Sequence, residues 1–148
     1  MNASKASPWF SRLIILAVAA LFMMISAKFI FDPQGSAAAS GLSINSALGA
    51  TDTRAGFGGF PLGFALILVF CLFSARRLLP ALAAIAVVGS VILVVRLYGA
   101  LTDGAFAMSV HLLAPEAAIV VFAVLGVLME RRRLGRGPMI PVLDSMSA

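Results

Sequence analysis

Few residues in this chain could do chemistry, and the strongest of them is Glu116. It stands in LLAPEAAIVVFAVL, a stretch otherwise almost free of charge. A carboxylate in such a setting takes up a proton or finds a cation or a hydrogen-bond donor. Arg96 in VVRLYG and Arg54 in TDTRAG are the candidate counter-ions. His111 lies five residues before Glu116, about 140° round a helix, so the two do not share one narrow face. Pro115 between them frees the His111 carbonyl from its helical partner, one way to open a polar pocket inside a bilayer. The expected site is therefore an outward-facing polar pocket. Glu116 forms its floor, Arg96 and Arg54 neutralise it, and His111, Tyr98, Asp52 and Asp103 sit near its rim. The structural alternative is an ion pair that only fixes helix register.

Other chemistries find no support in the residue pattern. One histidine without a second histidine or a cysteine partner is a poor metal or haem ligand, so no metal and no cofactor is expected. Cys71 is the single cysteine and reads as a small apolar core residue. There is no nucleophile elbow, no pair of catalytic carboxylates and no Walker order after the glycines, so no catalytic residue is assigned. Gly56, Gly58, Gly59 and Gly63 place small residues near the start of one apolar segment, with Gly59 and Gly63 in G-x-x-x-G spacing. That spacing predicts close helix packing within the bundle, ahead of a dimer interface.

The elements that must carry these residues are membrane helices. Of 148 residues, 61% are hydrophobic and 11% charged, against about 45–50% and 25% in soluble domains. A soluble fold of this size would have too few polar side chains to cover its surface. Four apolar segments, at about 12–31, 56–74, 78–98 and 106–129, each approach the roughly 20 residues needed to cross the hydrocarbon core. The expected fold is all-α: one transmembrane domain, a four-helix bundle. The first segment is read as an uncleaved anchor rather than a signal peptide, since it is longer than a usual signal core. Residues 32–55 form the one long connection, with Leu42, Ile44 and Leu48 as a weak apolar stripe. Asp52 or Thr53 is the expected cap of the second helix, and Pro61 an expected kink. Residues 130–148 are read as a cytoplasmic tail that opens on the arginine cluster and ends irregularly, with two prolines.

The net charge is +5. In a soluble protein that would suggest nucleic acid, but the basic residues cluster at segment ends. Lys5, Arg12, Arg76, Arg77, Arg131, Arg132, Arg133 and Arg136 fall on one side; Lys28, Arg54 and Arg96 fall on the other. The positive-inside rule makes the first side cytoplasmic, with both termini on it. The 32–55 connection then faces outward. The expected partners are the lipid bilayer and either further copies of the chain or another membrane protein; nucleic acid is excluded.

Three motifs read together add a resemblance: TDTRAGFGGFPLG (51–63), VRLYGALTDG (95–104) and LLAPEAAIVVFAVL (112–125). Over nearly its whole length the chain resembles a family of short bacterial inner-membrane proteins, domain of unknown function number four thousand three hundred and forty-five. The resemblance implies four spans in the bacterial inner membrane. Its shared pattern falls on Arg54, Gly58, Gly59, Arg96, Asp103, Gly104 and Glu116. Where the family usually has an asparagine before the first arginine, this chain has Asp52 and Thr53. The resemblance implies that Arg54, Arg96 and Glu116 belong to one site, and it implies no activity. The favoured function is a structural or accessory membrane protein. The alternatives are an oligomeric proton-coupled transporter and an enzyme or binder acting on a lipid-like or quinone-like molecule; an enzyme is not favoured.

Overall fold

The computed structural model of the protein describes residues 3–104 and 106–135. Every element among them is helical. Helix α1 is Ala3–Phe31, α2 is Pro33–Ala39 and α3 is Ala47–Thr53. A π-helical turn, Arg54–Gly59, joins α3 to α4, Phe60–Leu72. A 3-10 turn, Ala75–Arg77, leads into α5, Leu78–Thr102, and α6 is Phe106–Gly135. Four stretches are long and apolar enough to cross a membrane: Pro8–Phe31, Ala47–Leu72, Ala75–Thr102 and Ser109–Gly135, with mean hydropathies of 2.1 to 2.8. Only helices and closed barrels satisfy every backbone group in hydrocarbon, and these sequences form helices. The protein is a multi-pass helical membrane protein.

Two boundaries differ from the sequence reading. The second membrane helix starts at Ala47, inside the expected 32–55 connection. Its cap is Ser46, not Asp52 or Thr53: Ser46 is extended (φ −150°, ψ 159°) and its Oγ accepts from Gly49 N–H at 3.0 Å. Gly49 apart, no helix breaker follows until Gly56, Gly58 and Gly59, and the chain absorbs those by widening into the π-helical turn just before Pro61. The rest of the connection is also structured. Asp32 Oδ1 accepts from Gly35 N–H at 2.9 Å and caps α2, with Pro33 in the first turn, where a missing N–H does no harm. Gly41, at φ +76°, ends this element.

At the other boundary, α6 runs through Met129 to Gly135, so residues 130–135 of the expected tail are helical. The run Met-Glu-Arg-Arg-Arg-Leu consists of good helix formers, and arginines in a last turn suit the helix dipole. Arg136 and the remainder of the tail lie outside the described residues. The expected Asp103-Gly104 turn is present, with Gly104 at φ +67°.

Burial is uneven along the bundle. The apolar core is built from Ile14, Ile15, Val18 and Ala19 of α1, Leu68 of α4, Leu78, Ala81, Leu82 and Ile85 of α5 and Ala123 of α6. All of these lie in the half that holds the start of α1, the α4–α5 turn and the end of α6, here the terminal half. Gly126 makes that packing close: a Cβ there would stand 3.0 Å from Leu82 and 3.4 Å from Ile14. In the other half, the far half, the interior holds a cavity.

The expected glycine packing resolves into one contact. A Cβ on Gly58 would meet Ile30 Cγ1 at 2.6 Å and the Ile30 backbone nitrogen at 3.4 Å, so here the π-helical turn approaches α1 as only glycine allows. Gly56 and Gly63 have open space where a side chain would be, and Gly59 has only the Arg54 carbonyl of its own turn at 3.9 Å. Gly56, Gly59 and Gly63 are exposed and, among the described residues, pack against no other helix, because the widened turn and the helix direction point them outward.

Candidate functional site

The far half of the bundle is organised by one ion pair. Arg96, on α5, extends to Glu116, on α6. Its Nε donates to Glu116 Oε1 at 2.9 Å and to Oε2 at 2.8 Å, and Nη2 lies 2.8 Å from Oε1. The guanidinium is a planar fork, which suits such two-point contact with a carboxylate. The side chains are 34% and 22% exposed, so the pair sits at the wall of the bundle and not in its densest core. Gly89 lets α5 and α6 come together one level deeper, where a Cβ would stand 3.0 Å from Val120.

Beside this pair lies a cavity of about 290 Å³. From α1 it is lined by Val18, Leu21, Phe22 and Ile25; from the π-helical turn and α4 by Phe57 and Phe64. From α5 and α6 it is lined by Ile85, Val88, Ile92 and Ile119, and by Arg96 and Glu116 themselves. Val18 and Ile85 also belong to the packed core, so the cavity floor is apolar and Glu116 stands higher on the wall. This revises the expected pocket, which had Glu116 at its floor. From Ile85 to Arg96 the cavity extends roughly 16 Å along α5, at 1.5 Å per residue. Aromatic rings shape one side of it. Phe22 and Phe64 meet edge to face at 5.4 Å and 81°, and Phe57 stacks on Phe29 at 5.2 Å and 27°.

The other expected members are elsewhere. Arg54 is exposed, donates from Nε to the Ile30 carbonyl at 3.2 Å and does not line the cavity. It ties the π-helical turn to the top of α1, next to the Gly58–Ile30 contact. His111, Tyr98, Asp52 and Asp103 are exposed, and none lines the cavity. Asp103 accepts from its neighbour Thr102 at 3.4 Å, which belongs to the turn. Pro115 is accommodated within a continuous α6 and faces outward. Of the seven expected residues, the structure brings Arg96 and Glu116 together on the cavity wall. Among the described residues no group of three His, Cys, Asp or Glu side chains could hold a metal ion.

A second polar cluster, which the sequence reading does not contain, lies in the terminal half. Glu130 is completely buried. Ser11 Oγ donates to its Oε1 at 2.8 Å, also fully buried, and Arg133 Nε pairs with its Oε2 at 2.6 Å. Arg133 Nη2 then donates to the Ala75 carbonyl at 3.1 Å. One carboxylate thus joins the start of α1, the α4–α5 turn and the end of α6. In the sequence Glu130 adjoins three arginines and reads as a solvated helix end; the hint available was that Ser11 and Glu130 fall at the same level of the bundle.

The family model described as domain of unknown function (DUF4345) covers residues 10–127. No curated protein and no solved structure matches the chain.

Proposed function

The chain belongs to the family described as domain of unknown function (DUF4345), and from that footing we propose a bacterial inner-membrane accessory protein that holds a site in its far half and does not conduct a substrate across the bilayer. Both termini are cytoplasmic in this reading, because the basic residues gather at the terminal end. The far half, with the Arg96–Glu116 pair, then opens away from the cytoplasm.

The observation that carries this reading is the division of the bundle. A transport route needs a continuous line of polar groups or water, and the apolar core of Ile15, Leu68, Leu82, Ile85 and Ala123 interrupts it: Ala123 lies midway along α6 between Glu116 and Glu130. Glu116 engages one arginine through both oxygens, the geometry of a lock between α5 and α6. Such a lock also gives the cavity a fixed wall.

The test uses purified protein reconstituted in liposomes. Wild type is expected to conduct no protons above empty vesicles, and Glu116→Gln to lose stability. Proton-coupled flux in wild type that Glu116→Gln abolishes while still folding would replace this reading with the transporter. Orientation is tested in cells with Cys71→Ala as background: a maleimide that cannot cross membranes should label Asp52→Cys directly and Arg76→Cys only after permeabilisation. The reverse pattern overturns the cytoplasmic termini.

A further inference from the structure

The cavity beside Arg96 and Glu116 has a size, a lining and a polar end that together specify a ligand. An apolar cavity of about 150 Å³ is enough to bind benzene. The present one, at about 290 Å³ and roughly 16 Å long, has room for a ring and the beginning of a chain. Its walls are aliphatic and aromatic, with Phe22, Phe57 and Phe64 offering ring faces and edges. Phe57 is 50% exposed and Ile92 37% exposed, so the cavity reaches the bundle surface at their level. A molecule dissolved in the bilayer can enter there without crossing water.

The polar end is equally particular. Arg96 and Glu116 compensate each other's charge, so the site presents a dipole with no net charge. An anionic head would compete with Glu116 for the single arginine, and a cationic head would compete with Arg96. A neutral head meets neither conflict. A guanidinium has five N–H donors; Arg96 turns Nε and Nη2 to Glu116, which leaves Nη1 as a donor for an acceptor oxygen. The acceptor that needs no proton of its own is a carbonyl.

We propose that the cavity bounded by Phe22, Phe64, Ile92 and the Arg96–Glu116 pair binds one uncharged ring carbonyl compound with an apolar tail, of the quinone type, taken from the bilayer. This rests on the reading of the far half as the protein's site and adds the ligand class. The ring packs among the phenylalanines, and a carbonyl oxygen accepts from Arg96.

The test uses full-length protein in nanodiscs of defined phosphatidylcholine. The probe is a short-chain alkyl benzoquinone bearing a photoreactive group, and cross-linked peptides are mapped by mass spectrometry. Saturable labelling is expected on α1 near residues 21–25 and on α5 near 88–96. Unlabelled quinone should compete at least tenfold better than an alkylbenzene of equal length. Ile92→Trp and, separately, Val88→Phe fill the cavity and should each cut labelling tenfold or more, with folding checked by circular dichroism. The paired change Arg96→Met with Glu116→Met removes the polar end without stranding a charge, and should erase the preference for quinone over alkylbenzene. If alkylbenzene competes as well as quinone in wild type, the carbonyl-binding claim fails while the site remains. If labelling is not saturable, or neither filling variant reduces it, the proposal fails together with the reading of this half as a site. If a phosphatidylcholine carrying the same photoreactive group labels the same residues and quinone does not displace it, the occupant is ordinary lipid and the proposal is overturned.

Discussion

Arg96 and Glu116 join α5 to α6 outside the apolar core, through contacts of 2.8 and 2.9 Å to both carboxylate oxygens. The short turn after Thr102 already holds these two helices side by side, and the pair clamps them a second time on the cavity wall. In a low-dielectric setting each charge depends on its partner, and removing one strands the other.

This gives the first prediction. Glu116→Gln and Arg96→Met, each alone, should destabilise the folded protein by about 2–3 kcal/mol, somewhat below the 3–5 kcal/mol typical of a fully buried pair, because both side chains are partly exposed. The double change Arg96→Met with Glu116→Met should recover much of the loss, since it strands no charge. Denaturant titration in mixed micelles, closed as a double-mutant cycle, gives the coupling directly. Single variants within about 0.5 kcal/mol of wild type, the range of a surface change, would mean that the pair locks nothing.

A second prediction concerns the terminal half. Ser11→Ala removes one donor to the buried Glu130 carboxylate and should cost about 1.5–3 kcal/mol, the range for a hydrogen bond to a charged group. Glu130→Ala should cost more, about 3–5 kcal/mol, because it leaves a vacancy in a fully buried site and strands Arg133. Thermal unfolding in detergent ranks the two. Equal effects would show that the Ser11 bond, and not the charge on Glu130, is what the cluster contributes.

The contrast between the two clusters shows what a sequence discloses in a membrane protein. Glu116 was conspicuous because hydrocarbon-compatible residues surround it, and Arg96 was a reasonable partner because its span ends on the same side. Helix number and the Asp103-Gly104 turn were legible for similar reasons, from length, hydropathy and turn chemistry. Glu130 was not legible, because next to Arg131, Arg132 and Arg133 a carboxylate looks solvated; its burial depends on how α1 and the α4–α5 turn close over it. The start of the second helix at Ala47 was hidden for a different reason. Its first turns are small and polar, so hydropathy placed the boundary at the glycines, while the Ser46 cap places it earlier. The cavity has no sequence signature at all, since its lining residues are ordinary apolar ones whose spacing would serve a filled core equally well.

Arg54 provides a third prediction, because motif and geometry part company there. It falls on the shared pattern with Arg96 and Glu116, yet its hydrogen bond goes to the Ile30 carbonyl from an exposed position. Arg54→Gln should change stability by no more than about 0.5 kcal/mol and leave the Arg96–Glu116 coupling energy unchanged within the same double-mutant cycle. A drop in that coupling would return Arg54 to the site as a long-range counter-ion.

The fourth prediction separates the glycines, which the sequence treats alike. Gly58→Ala places a methyl group against Ile30 Cγ1 and near the α1 backbone, so Ile30 must shift or the π-helical turn must move off α1. A cost of about 1–3 kcal/mol is expected for such overpacking. Gly63→Ala meets open space inside a helix, where alanine is favoured over glycine by up to about 1 kcal/mol, and should be neutral or stabilising in detergent. The two variants, measured side by side by thermal unfolding, test whether close approach is confined to one glycine. If Gly63→Ala instead proves as costly as Gly58→Ala, and the loss depends on protein concentration, then Gly59 and Gly63 pack against a second copy of the chain. A loss that is independent of concentration would mean that α4 packs more tightly within one bundle than the open space at Gly63 allows.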